Sequence, residues 1–332
     1  MNEFIFFINK VVISGAVTGS IYAMGAIGIT LIYSILRFSH FAHADLMTTG
    51  AFVTFILSAM FPHAGDVIGL PTAFVMLPIA MVVASLMAIG IDKAFYKPLR
   101  RHNVKPIVFV MASLGVTFML QGLVRLLFGT SSRNLYIDDR KEIFRLDLPF
   151  DLATRKIVIT EPQILLFVFT AIAVVALHLF LTHARLGKAM RAMSDNADLA
   201  RLSGINVNVV VMVTWVIAGS LAAAAGTLLS LDVTLKPDLS FNLLLPVFAA
   251  AIVGGVGHVY GAVLGGFVVG FTESLAVFNW ASVLRPLEKA FEWDLPRNLA
   301  LVPTEYKITV PFFILIAILV LRPTGILKGK VL

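Results

Sequence analysis

The sequence predicts an all-α, polytopic membrane protein of eight or nine transmembrane segments. Three observations carry that prediction. The 332 residues are 59% hydrophobic and only 14% charged, whereas soluble domains average about 45–50% apolar and about 25% charged. Apolar runs near the length of a membrane span, about 17–25 residues, recur from one end of the chain to the other. The longest polar stretch, 129–160, has about thirty residues, too few for a large soluble domain. The whole of 1–332 therefore reads as a single transmembrane domain.

In order, the runs fall near 11–36, 46–61, 70–95, 106–128, 161–182, 207–231, 242–257, 261–280 and 306–322. The opening MNEFIFF lacks a positive leader before its apolar residues, which predicts a retained first span rather than a cleaved signal. The runs 46–61 and 242–257 are short, so either fits a half-membrane re-entrant piece. Nine segments put the N-terminus outside and the C-terminus in the cytoplasm. Lys and Arg bias in short loops orients such proteins. With this orientation the inner segments carry a net +9 and the outer segments −2. The cluster KPLRRHNVK (97–105) alone is a strong inner anchor. The net charge of +7 is therefore a membrane-topology signal, and nucleic acid is not an expected partner.

Two outer segments stand out. The stretch 129–160 mixes six cations with five acids and contains the alternating patch Lys156-Ile157-Val158-Ile159, which predicts a small strand-containing extracytoplasmic cap. The stretch 284–304 places Leu287, Ala290, Phe291 and Leu295 on one helical face. With Trp280 and Trp293 nearby, it reads as an outer amphipathic segment lying in the interface.

Glycines recur at four-residue spacing: Gly15 and Gly19, then Gly257, Gly261 and Gly265, then Gly266 and Gly270, with Gly25 and Gly28 also in the first span. Small residues at this spacing let helices approach closely in lipid. Plain helix packing explains them, and so do broken helices beside a pathway. Gly254-Gly255-Val256-Gly257 favours a break, because each glycine costs a helix about 1 kcal/mol relative to alanine. Short interrupted segments mark transport sites in many carriers. Here the candidates are 37–61 and 243–270, with Phe41, His43, Asp45, Gly254, Gly255 and Gly257 as pathway residues.

Ionisable groups within the apolar runs are few. Glu273 lies inside 261–280, where an acid is costly and marks a functional candidate; a carboxylate bonded to a neighbouring helix is the plainer reading. His40, His43 and Asp45 have the residue types of a metal site but lack further ligands, so no metal is expected. Asp45 fits better as the N-cap of the following helix. With no cysteine, thiolate chemistry is excluded, and no nucleophile–base pair stands out, so the chain is not expected to be an enzyme. No phosphate-binding G-x-x-x-x-G-K-[ST] loop occurs. No cofactor is expected on this chain.

The charged interruption 183–206 separates two apolar runs. Ala189, Ala192 and Met193 share a helical face. Ser194-Asp195-Asn196 breaks and caps, Leu199 and Leu202 follow at i, i+3, and Gly204 is placed as a C′ residue with Ile205 as its apolar partner. The pattern predicts a short helix, a turn and a second short helix. A solvated loop accounts for it, and so does a docking element for a soluble partner.

Three stretches carry a family resemblance: GSIYAMGAIGITLIYSILRFSHFAHADLMTTGAF (19–52), GKAMRAMSDNADLARLSGIN (187–206) and FAAAIVGGVGHVYGAVLGGFVVG (248–270). The chain resembles the permease subunits of bacterial ATP-binding-cassette importers for branched-chain amino acids, specifically the shorter of that system's two permeases. The resemblance implies that 187–206 is the segment that couples to the ATPase, with Gly187, Ala189, Arg191, Ala192, Arg201 and Gly204 carrying that role. It also implies a second homologous permease, two ATPase subunits holding ATP and magnesium, a periplasmic binding protein and the bacterial inner membrane. His40, Ala44, His258 and Tyr260 depart from the family pattern, as does the charged 129–160. Branched-chain or other hydrophobic amino acids are the expected cargo, with urea, short amides and small organic acids as alternatives. An ion-coupled carrier using Glu273, or a homo-oligomeric channel, is the alternative of a different class.

Overall fold

The computed structural model describes residues 2–137, 140–146, 155–285, 296–322 and 324–327. The first helix, α1 (Asn2–Leu36), contains π-helical winding at Ile8–Ile13. Then come α2 (His43–Met60), α3 (Thr72–Arg101) and α4 (Pro106–Phe128). Strands β1 (Ile143–Leu146) and β2 (Ile157–Thr160) follow, then α5 (Glu161–His183), α6 (Arg185–Asp195) and α7 (Ala197–Leu202). The chain continues with α8 (Val207–Asp232), α9 (Leu244–Gly254), α10 (Val259–Val277) and α11 (Thr309–Leu321).

Among the described residues, six helices are long and apolar enough to cross a membrane: α1, α3, α4, α5, α8 and α10. The helix of α9, with one 3₁₀ turn before it, and α11 are shorter. At 1.5 Å per residue, the 11 residues of α9 cover about 16 Å, half of an apolar core about 30 Å thick. The short 242–257 run is thus a half-length helix. The short 46–61 run is the latter part of an 18-residue helix.

The helices α1 and α8 form the centre. Of the most apolar window of α8, 67% is buried, against 22% for peripheral α5. The tetrad Ala222–Ala225 is fully buried, and these small side chains let α2 lie close. A β-carbon at Gly50 would collide with Ala223, and one at Gly226 with the backbone of Met47. On the other side, α10 runs along α1, where Gly19 and Gly270 meet backbone to backbone. The packing explanation of the four-residue glycine spacing therefore holds for 15, 19, 266 and 270. Peripheral helices turn Phe118, Leu126, Ile172 and Phe313 outward, as a lipid-facing surface requires.

The connections sort to two ends. At the basic end, Phe38 after α1 packs at a tilt against Tyr96 of α3 and stacks on Phe109 of α4, at 5.1 and 5.2 Å between ring centroids. Asp92 there holds Arg100 through two bonds of 2.7 and 2.8 Å. At the opposite end lies a small cap. Strands β1 and β2 pair antiparallel with Ile143 opposite Thr160, as the alternation at Lys156–Ile159 predicts, so the all-α expectation gains one hairpin. The carboxamide of Asn9 in α1 accepts from the Val158 amide and donates to the Lys156 carbonyl. Lys141 reaches Asp232 at the end of α8 (3.1 Å). The apolar face predicted for the amphipathic segment, Leu287 to Leu295, lies outside the described residues, as does Trp293.

Candidate functional site

The residues singled out by sequence fall in three places. The first is the helical unit α6–α7 at the basic end. Asn196 caps α7 by accepting from the amides of Asp198 and Leu199 at 3.0 and 3.1 Å. Gly204 ends it with φ of +81°, a left-handed conformation that favours glycine. The Gly204 amide donates to the Arg201 carbonyl and the Ile205 amide to the Ala200 carbonyl. This is the paired C-terminal closure expected of glycine at C′. The helical face of Ala189, Ala192 and Met193 read from the spacing is not the buried one: Gly187, Met190 and Met193 are buried. Ala192 is exposed and Ala189 only half-buried. Gly187 lies against the last turn of α5 so closely that a β-carbon would strike the Phe180 carbonyl, and this contact sets the rotation of α6.

Rotation about that contact leaves a distinct outer surface. Arg191 is exposed, and Arg201 pairs loosely with Asp198 at 3.4 Å. Leu199 and Leu202 are 60% and 85% exposed. Sequence spacing assigned these leucines to one face but not to the outward one. From below, Met190, Met193 and Ala200 anchor the unit in the core. A further tie was not foreseen. Arg37, left-handed at the C-cap of α1, donates its guanidinium to the Ser194 carbonyl in α6. No local spacing announces this bond, because the partners are 157 residues apart.

The second place is the break between α9 and α10. Gly255 and Gly257 have φ of +110° and +84°, so the predicted interruption is present. Gly254 and Gly261 meet through their backbones across it. Backbone groups freed at a break need partners within the protein. Here the Ile326 amide donates to the Val253 carbonyl (2.9 Å) and the Leu327 amide to that of Gly254 (3.2 Å). The turn then reaches α6: Gly257, His258 and Tyr260 share a cavity of about 210 Å³ with Arg191, Ser194 and Asp195.

The segment after α1 meets α9 as well. The Phe41 ring stacks on Phe248 at 4.9 Å, and the Thr48 hydroxyl accepts from the Ser240 amide. The two interrupted stretches, 37–61 and 243–270, are therefore packed together. His43 is buried against Gly28, and His40 is enclosed by Phe38, Tyr96 and Trp215. Asp45 is not an N-cap. The helix begins at His43, and Asp45 sits in its first turn, buried beside Thr117 and Gln121. A carboxylate in the first turn interacts favourably with the helix dipole. Among the described residues, no group of three or more candidate ligands could hold a metal.

Glu273 stands apart from the rest of the predicted pathway set. It is nearly fully buried in α10 and engages both carboxylate oxygens. The Tyr22 hydroxyl donates to Oε2 at 2.7 Å, and Lys307 lies 2.9 Å from Oε1. It lines a cavity of about 750 Å³ toward the cap end, with Lys10, Val17, Ile21 and Pro246 among the walls. The expectation of a carboxylate bonded to neighbouring helices is thus met, and it also faces open space. Neither Tyr22 nor Lys307 had a sequence signal, since one sits in a small-residue run and the other follows a polar loop.

A family model described as a branched-chain amino acid transport system permease component matches residues 11–319. The high-affinity branched-chain amino acid transport system permease protein LivH of Escherichia coli K12 is 30% identical over 337 residues, covering 98% of this chain and 96% of its own. BraD of Pseudomonas aeruginosa, named as the same kind of permease, is 30% identical over 325 residues, 95% of this chain and 94% of its own. A shorter stretch of 101 residues is 31% identical to the ribose import permease protein RbsC of Escherichia coli K12, covering 28% of this chain and 32% of its own. No solved structure matches the chain. A match that spans nearly all of the chain means that it belongs to the family of branched-chain amino acid transport permease components.

Proposed function

We propose that the chain is a translocation subunit of an ATP-driven importer that carries amino acids, branched-chain or otherwise hydrophobic, across the bacterial inner membrane. The observation that carries this reading is the unit α6–α7. It is capped at its turn and closed at Gly204. It is held to the bundle by Met190, Met193 and Arg37, yet presents Leu199 and Leu202 to solvent. An apolar patch rimmed by cations on a rigid support suits a protein partner. The positive-inside bias places it in the cytoplasm and the β1–β2 cap outside. The reading includes a second homologous permease, two ATPases that hold ATP and magnesium, and a periplasmic binding protein.

In this mechanism ATP closes the ATPase dimer and displaces α6–α7 as one body. The motion reaches α1 through Arg37 and the α9–α10 break through the cavity shared with Gly257–Tyr260. Phe41 and Phe248, stacked between these two regions, separate as the pathway opens inward.

The test is co-purification with the ATPase subunits. The double variant Arg191→Glu with Gly204→Pro loses the association and ATP-dependent uptake. Unimpaired uptake in that variant overturns the proposal. Uptake competition between leucine and urea then separates the amino-acid cargo from the urea, amide and organic-acid alternatives.

A further inference from the structure

We propose that the cavity walled by Tyr22, Glu273 and Lys307 is a recognition site for zwitterionic α-amino acids with aliphatic side chains, Glu273 receiving the ammonium group and Lys307 the carboxylate. This deepens the transport reading above and rests on it.

The argument begins with cost. A carboxylate at membrane depth is expensive, and an apolar pair of similar volume would hold α1, α10 and the segment before α11 together at least as well. A charged pair kept there needs another use. Its two members are placed unequally: the Glu273 side chain is 4% exposed and that of Lys307 38%. The acid is fixed at the back, with Tyr22 holding one oxygen. The base stands nearer the opening on a flexible stem.

An entering amino acid can displace Lys307 from Glu273 with its own ammonium group. The freed Lys307 then takes its carboxylate. One ion pair becomes two, and neither Glu273 nor Lys307 is left unpaired. The remaining wall is mixed: Lys10, Asp232 and Glu305 add charge, and Val17, Ile21, Leu229 and Pro246 offer apolar surface for an aliphatic side chain. At about 750 Å³ the cavity has room for such a molecule with its water. The geometry also excludes. A carboxylic acid without an amine would have nothing to offer Glu273, an amine without a carboxylate would leave Lys307 unpaired, and urea carries neither charge.

The test uses the complete permease–ATPase complex in lipid nanodiscs, without binding protein or nucleotide, and radiolabelled leucine as probe. Leucine should bind saturably to the wild type. Leucine should compete at least tenfold better than 4-methylpentanoate, which lacks the ammonium, or isoamylamine, which lacks the carboxylate. Glu273→Gln should weaken leucine binding roughly 10- to 100-fold, the range for one charge-assisted hydrogen bond, and remove discrimination against 4-methylpentanoate. Lys307→Gln should remove discrimination against isoamylamine. Tyr22→Phe, which keeps the ion pair, should weaken binding by a smaller factor, roughly threefold to tenfold. Variants are compared only where they still assemble with the ATPase. If Glu273→Gln does not assemble, the charge-exchanged pair Glu273→Lys with Lys307→Glu replaces it, and the same weakening is expected from its misplaced charges. Wild-type complex that binds no leucine, or variants that bind and discriminate as the wild type does, overturn the site while leaving the importer reading intact. A wild-type chain that never associates with an ATPase overturns the importer reading instead.

Discussion

Replacing Leu202 by Asp isolates the docking surface from the fold. The side chain is 85% exposed, so the free permease loses almost no packing. On the proposed reading the same side chain is buried in the complex with the ATPase. Full burial of a leucine is worth about 1.5–3 kcal/mol, and scaling by the exposed fraction leaves about 1.3–2.5 kcal/mol for the interface. At about 1.4 kcal/mol per decade, ATPase affinity should fall roughly 8- to 60-fold, and further because a buried aspartate must be desolvated. Leu202→Met, of similar volume, should stay within about threefold. The assay is titration of the ATPase subunit onto permease in nanodiscs, alongside the thermal midpoint of the permease alone. The midpoint should not move. An Asp variant that binds the ATPase within twofold of wild type would refute the assignment of this face.

Three further outcomes are expected. Arg37→Gln should leave ATPase binding intact while lowering the number of substrates carried per ATP hydrolysed, because it removes the bond from α1 to the Ser194 carbonyl; an unchanged ratio in proteoliposomes would count against the strut. Gly204→Ala should cost about 1–2 kcal/mol at the left-handed position, read as faster amide exchange at Ile205, whose donor bond to Ala200 closes the helix. Asp92→Ala should lower the thermal midpoint of the permease, because it removes a two-bond ion pair; Arg100, 27% exposed, is partly solvated when left alone, so the cost falls below about 3–5 kcal/mol, the range for a fully buried pair.

What could be read from the sequence depended on locality. Hydropathy placed α4 at 106–128, the same bounds as its helix, because its punctuation is local: Pro106 at its first residue and Gly129 just beyond its last. The Asn196 cap and the Gly204 closure were legible for the same reason. The inward face of α6 was not. Its rotation is fixed by the fit of Gly187 against Phe180, a contact no periodicity encodes. The Asp45 expectation failed because the helix starts three residues earlier than that cap implies, at His43, whose imidazole fills the space beside Gly28. Glu273 was visible as a costly residue, but its partners lie 251 residues before it and on another segment after it. Depth in the membrane is a local signal, whereas pairing across the bundle is not.

The bonds from Ile326 and Leu327 to Val253 and Gly254 impose an order of assembly. During synthesis α9 and α10 emerge with two carbonyls at their junction that lack these donors. Those groups find their donors only after α11 has been inserted and the chain has turned back. Until then the half-helix is an unfinished element, and its neighbours have reason to remain loosely docked. A chain truncated before residue 326 should therefore leave its break accessible to a water-soluble probe, and the full-length chain, once released from the ribosome, should close it.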